Sequence, residues 1–167
     1  MFREGEKIIY GSNGVCMVEK VGVPPFAKKG ENRLYYKLRP AGGTETIYAP
    51  VDGPVFMRPV ISRQEAEDLI ARMPEIQEQI CTSHSIALLR QQYDAFFQSH
   101  NCETYVRLVK GVYLKGQQGK KLGQTDQRYM TRAEDVLYGE LAAALDIPME
   151  EVPDYIRTTL ATTEDAG

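Results

Sequence analysis

The chain has 167 residues, 20 Lys and Arg against 23 Asp and Glu, a net charge of −3, 43% apolar residues and 26% charged ones. Those proportions belong to a globular chain with enough apolar side chains to bury a core, which excludes a mainly disordered one. No apolar run reaches the roughly 18 residues of a membrane span, the opening Met1-Phe2-Arg3-Glu4-Gly5-Glu6-Lys7 lacks a leader's apolar stretch, and three scattered cysteines (Cys16, Cys81 and Cys102) fit a reducing cytoplasm better than a disulfide scaffold.

Up to Ile61 the pattern is that of short strands. Ile8-Ile9-Tyr10 stops at Gly11. Val15-Cys16-Met17-Val18 runs toward Val23 and stops at Pro24-Pro25. Leu34 to Leu38 stops at Pro40, Thr46 to Ala49 stops at Pro50, and Val55-Phe56-Met57 leads to Val60-Ile61. Such runs, rich in Val, Ile and Tyr and bounded by breakers, are strands. Asn13-Gly14 and Gly42-Gly43 supply reversals. Five short strands in so few residues predict a small antiparallel β-barrel, because closure hides strand edges.

After Ile61 the period becomes helical. Ser62-Arg63-Gln64-Glu65 is a capping box that opens a helix ending before Pro74. A second helix is predicted from about Thr82 to Ser99, with Ile86, Leu89, Tyr93, Phe96 and Phe97 on one face. A third follows Asn101, with Tyr105, Leu108, Val109, Val112 and Tyr113 inward. A fourth starts near Thr125 and buries Met130, Ala133, Val136, Leu137, Leu141 and Leu145. Pro148 suits the first turn of a fifth, where Pro153 must bend or split the helix. The expected organisation is therefore α+β: a β-barrel unit over 1–61, an all-α bundle over 62–161 and a frayed polar tail over 162–167.

Charge is uneven. The first unit carries nine basic and six acidic residues. Between Arg107 and Arg132 stand seven bases and a single acid, Asp126. Basic charge focused on one face is the footprint of a phosphate-backbone binder, whereas a solvated helical surface is the plainer alternative. Catalytic and metal chemistry find no support. Cys81 with His84 and His100 with Cys102 resemble two half-sites for zinc, but His84 and His100 bracket one helix. At about 1.5 Å per residue they stand roughly 24 Å apart, beyond the reach of one metal. Gly116-Gln-Gln-Gly119-Lys120-Lys121 lacks the Ser or Thr and the preceding strand of a phosphate loop. No metal, no cofactor and no enzymatic activity are expected.

Four motifs in order resemble one family. Phe2-Arg3-Glu4-Gly5-Glu6-Lys7-Ile8-Ile9-Tyr10-Gly11-Ser12-Asn13-Gly14-Val15 is similar to the opening of the CarD and transcription-repair-coupling-factor RNA-polymerase-interacting domain. Tyr48-Ala49-Pro50-Val51-Asp52, Met57-Arg58-Pro59-Val60-Ile61-Ser62 and Leu137-Tyr138-Gly139-Glu140-Leu141-Ala142 resemble later parts of the family pattern. The resemblance implies a Tudor-like N-terminal domain that docks on the β subunit of bacterial RNA polymerase by a strand edge. It also implies a helical domain that touches promoter DNA and stabilises the open complex. On that basis the polymerase-binding residues are Val21, Val23, Phe26, Thr46 and Tyr48. The DNA-binding residues are Arg90, Lys110, Lys115, Lys120, Lys121, Arg128 and Arg132. The family's minor-groove Trp has no counterpart, since the chain contains no Trp. Helical periodicity places Leu89 in the core, and the predicted DNA contact is weak and sequence-tolerant. A polymerase adaptor without DNA contact is the alternative. A cytoplasmic monomer with no membrane partner is expected.

Overall fold

The computed structural model describes residues 1–119 and 121–166, which divide into two compact units at Ile61 and Ser62. The first unit is one antiparallel sheet of β1 (Lys7–Tyr10), β2 (Val15–Gly22), β3 (Tyr35–Pro40), β4 (Ile47–Pro50) and β5 (Met57–Pro59). Their order across the sheet is β4-β3-β2-β1-β5. A barrel would need β4 to pair with β5, and among the described residues no such ladder exists. The two margins are poor partners. They are four and three residues long, and each ends in a proline that has no N–H to give.

Alternation along the strands makes the core. Ile8, Cys16, Val18, Tyr36, Leu38 and Ala49 meet on one face, with Phe2, Tyr10, Val21, Ile47, Val51 and Met57 packed around them. The β2–β3 register shifts between Val18 and Lys20, so Glu19 is a bulge residue. A bulge adds twist and changes which residues face inward. Val21 therefore pairs with the buried Tyr36 and turns toward the core. The Asn13-Gly14 reversal is a 3-10 turn over Gly11–Asn13, closed by Gly14 at φ +75° and a bond from the Tyr10 N–H to the Gly14 carbonyl (2.9 Å).

The second unit holds α1 (Arg63–Arg72), α2 (Ile86–Gln98), α3 (Cys102–Gln117), α4 (Gln124–Leu145) and α5 (Val152–Ala166). Among the described residues no helix is long and apolar enough to cross a membrane. The Ser62 capping box forms in both directions, with two bonds of 3.0 Å between Ser62 and Glu65. Asn101 Oδ1 caps α3 by accepting the Glu103 N–H at 2.9 Å. The second helix, expected from Thr82, begins at Ile86; the chain stays non-helical up to Ser85, whose hydroxyl caps α2 by accepting the Leu88 N–H. Pro153 neither bends nor splits a helix. A 3-10 turn over Met149–Glu151 comes first, and α5 begins at Val152, so Pro153 falls in a first turn where its missing N–H has no intrahelical acceptor to satisfy. The backbone of α5 continues to Ala166, over the segment expected to fray.

Leu89, Tyr93 and Phe96 of α2, Tyr105, Leu108 and Val112 of α3, and Ala133, Leu137, Leu141 and Leu145 of α4 are buried. Burying one such Leu is worth about 1.5–3 kcal/mol. An exposed pair such as Arg157–Asp154 is worth under about 1 kcal/mol, so the apolar stripes set this unit's stability. Two predicted inward residues point out: Ile86 and Tyr113 are 61% and 63% exposed. Ile86 is the first residue of α2, and Tyr113 lies to the side of an α3 stripe that runs on from Val112 to Lys115.

Between the 3-10 turn Met73–Glu75 and α2, residues 76–85 lie as a strap along α3. The Gln79 N–H donates to the Arg107 carbonyl at 3.2 Å. One turn on, Gly111 lies so close beneath Gln79 that a Cβ there would stand 1.9 Å from its carbonyl oxygen. Gly111→Ala is expected to lift the strap and cost about 1–3 kcal/mol in the unit's urea unfolding. An unchanged midpoint would show that the strap does not press on α3.

Candidate functional site

Two surfaces gather the residues singled out in the sequence. The first is the free margin of β4. The Val51 N–H donates to the Leu34 carbonyl at 3.0 Å, which fixes the phase of the β3–β4 ladder. Hydrogen-bonded pairs alternate with non-bonded ones. Ile47, Ala49 and Val51 therefore face β3, and the backbone groups of Thr46 and Tyr48 face away from it. Pro50 shares that outward phase and has no N–H to offer.

Beside this margin stands an aromatic group. Phe26, 60% exposed, meets Tyr48 and Tyr35 edge-on, with ring centroids 5.2 and 5.6 Å apart. The Arg33 guanidinium lies 5.7 Å from the Tyr35 ring centre and pairs with Asp52 at 3.2 Å. Thr46 and Val23 are exposed and Phe26 meets Tyr48, two residues after Thr46, whereas Val21 packs against the core. Arg33 and Asp52 escaped the sequence reading. Strand alternation already separated the neighbouring tyrosines. Tyr36 is buried, its hydroxyl accepting the Phe2 N–H at 3.1 Å, and Tyr35 faces out.

The second surface is a groove between α2 and α4. Thr125, Arg128, Tyr129 and Arg132 recur at helical spacing on α4, and Arg90 faces them from α2. Together they line a depression of about 410 Å³. Tyr129 stacks on Tyr93 with centroids 4.9 Å apart, and its hydroxyl donates to Asp94 at 2.6 Å. Burial, then that bond to Asp94, raises the Tyr129 pKa, against the opposing charges of Arg132 and Arg90. The Arg132 guanidinium lies 4.0 Å from the centre of the Phe97 ring. Lys121 is exposed elsewhere on the unit, and Lys120 lies outside the described residues.

Two of the bases read as DNA ligands are engaged inside the unit. Lys110 Nζ donates to the carbonyls of Met73 (2.9 Å), Pro74 (3.4 Å) and Ile76, which pins the start of the strap. Lys115 is 9% exposed. Its ammonium donates to the Cys81 carbonyl at 3.0 Å and to both Asp126 oxygens at 3.0 and 3.2 Å. Asp126 also accepts from the Tyr93 hydroxyl (2.5 Å) and the Gly123 N–H (3.2 Å). Burial pushes the Asp126 carboxyl up, but the bonds from Tyr93, Lys115 and Gly123 and the Lys115 charge outweigh it and hold the pKa below the ordinary value. The same burial and the Asp126 carboxylate raise the Tyr93 phenol. A signal for this was available. Tyr105, Leu108, Val112 and Lys115 share one spacing, so Lys115 continues the buried stripe of α3.

Residues 2–61 match the family described as the CarD-like/TRCF RID domain. No curated protein matches the chain. The matched residues coincide with the five-stranded unit and stop where Ser62 caps α1. Sheet, open margin and match coincide, and residues 2–61 form a CarD-like RNA-polymerase-interacting domain.

Proposed function

We propose that this chain is a CarD-like bacterial transcription regulator working in the cytoplasm. Its N-terminal unit, whose open sheet is compatible with a Tudor-like fold, docks on the β subunit of RNA polymerase. A strand of that subunit extends the sheet at β4, hydrogen-bonding Thr46 and Tyr48, while Phe26 and Tyr48 cover its side chains. The observation that carries this is the unpaired β4 margin beside an exposed aromatic group, within the residues of the polymerase-interacting domain. A monomer is the state that leaves this margin free.

The helical unit adds a weak, sequence-tolerant contact with promoter DNA through Arg90, Arg128 and Arg132 at the groove and through Lys121 apart from it, Lys120 being a further candidate outside the described residues, and so adjusts the stability of the open complex. Lys110 and Lys115 stay with the strap and with Asp126. Their withdrawal leaves few phosphate contacts, and it also favours the second reading, an adaptor that holds polymerase without touching DNA.

Co-purification with native polymerase, then binding to isolated β, tests the first half; no capture of β sinks it. Anisotropy on duplex promoter DNA at several salt concentrations tests the second. Changing Arg90, Arg128 and Arg132 together to Gln is expected to flatten the slope of log K against log salt by about 2–3. An absence of DNA binding at low salt, with β still captured, selects the adaptor.

A further inference from the structure

We propose that the groove between α2 and α4 holds one unpaired nucleotide, its phosphate on Arg90, Arg128 and Arg132 and its base against the Tyr129 ring. This rests on the DNA contact proposed above and names the form of DNA that the groove selects.

Charge is the first support. Among the described residues, none of the three arginines is ion-paired with a carboxylate, and all three are exposed. A guanidinium presents a planar fork of donors that matches phosphate oxygens two at a time. Arg132 is already steadied by its cation–π contact with Phe97, so its ordering on binding costs less.

The aromatic wall is the second. Tyr129 is held by stacking on Tyr93 at an interplanar angle of 18° and by its hydroxyl bond to Asp94. A fixed ring lining an arginine-rimmed groove is the pairing used by proteins that bind single strands, in which bases stack on aromatics and cations follow the backbone. Any base has a face to stack, so the contact tolerates sequence.

Size is the third. A depression of about 410 Å³ is on the scale of a small-ligand site and admits one nucleotide. A duplex keeps its base faces inside its own stack. It can bring phosphates to the arginines, but no base to Tyr129. An unpaired nucleotide supplies both partners at once.

The test uses the full chain and the anisotropy of a labelled oligo(dT) of about thirty nucleotides, free or annealed to oligo(dA) well below the melting temperature of that duplex, at one low salt concentration. The single strand is expected to bind about tenfold more tightly than the duplex. Thymidine monophosphate should displace it at concentrations where inorganic phosphate does not. Arg128→Gln should weaken the single-strand complex by about tenfold, whereas Arg157→Gln on α5 leaves it unchanged; a thermal melt checks that both variants fold. Equal affinity for the two forms of DNA overturns this inference and leaves the DNA contact standing. Binding to neither form overturns both. Displacement by phosphate as readily as by the mononucleotide reduces the groove to an anion site and also overturns it.

Discussion

Replacing Lys115 by Met is expected to cost the helical unit about 3–5 kcal/mol of unfolding free energy. The reason is what remains rather than what leaves. Asp126 is 3% exposed, and without the ammonium its charge stays buried with only the Tyr93 hydroxyl and the Gly123 N–H beside it. Urea unfolding of the single variant measures the cost. A double variant, Lys115→Met with Asp126→Leu, should recover much of it, because apolar replacement of a whole buried pair is often neutral. The pH dependence carries the same signature. The folded-state pKa of Asp126 lies below its unfolded value of about 3.9. The stability from this site is therefore fully present above about pH 4 and is lost as pH falls through the lower folded value. In Lys115→Met, burial without the cation pushes that carboxyl up, so the deficit is largest near neutrality and shrinks in acid. A deficit under about 1 kcal/mol would mark an exposed pair and return Lys115 to the surface.

Putting proline at both Thr46 and Tyr48 is expected to weaken polymerase β binding by about a hundredfold, or about 2.7 kcal/mol. Each change removes one outward N–H, worth about 0.5–1.5 kcal/mol, and the second also removes the ring that meets Phe26. Neither touches the donors of Ile47, Ala49 or Val51 that face β3. The sheet should survive, as circular dichroism can verify. Ala49→Pro is the contrasting control, since it deletes a donor within the β3 ladder and should disrupt the unit itself. Full affinity in a folded Thr46→Pro, Tyr48→Pro variant would remove strand addition from the mechanism.

The sequence disclosed most where a local rule operates alone. The Ser62–Glu65 box, the Asn101 cap and the breaker-bounded strands all follow from neighbours a few residues apart. It disclosed less where partners lie far along the chain. Lys110 and Lys115 sit in a basic stretch and read as surface charge. Their carbonyl acceptors lie 34 to 37 residues earlier, in the 3-10 turn Met73–Glu75 and the strap that follows it, a segment with no periodicity to announce it. Asp126 stood out as the one acid among those bases, yet its role required α3 and α4 to be side by side. The α2–α4 groove divides in the same way. Arg128 and Arg132 were visible as charges, while the Tyr129 and Phe97 rings beside them emerge only from helix packing.

Pro50 carries a further consequence. Its ring occupies the place on β4 where a third outward donor would stand, and its carbonyl already accepts the Gly53 N–H at 3.0 Å. A visiting ribbon can therefore be gripped over two residues and no further. So brief a template satisfies one well-fitted guest whose side chains complete the match, but it offers copies of the chain too little backbone to stack into fibres. The imide that truncates the docking rail thus also guards the protein against self-assembly while it waits for its partner.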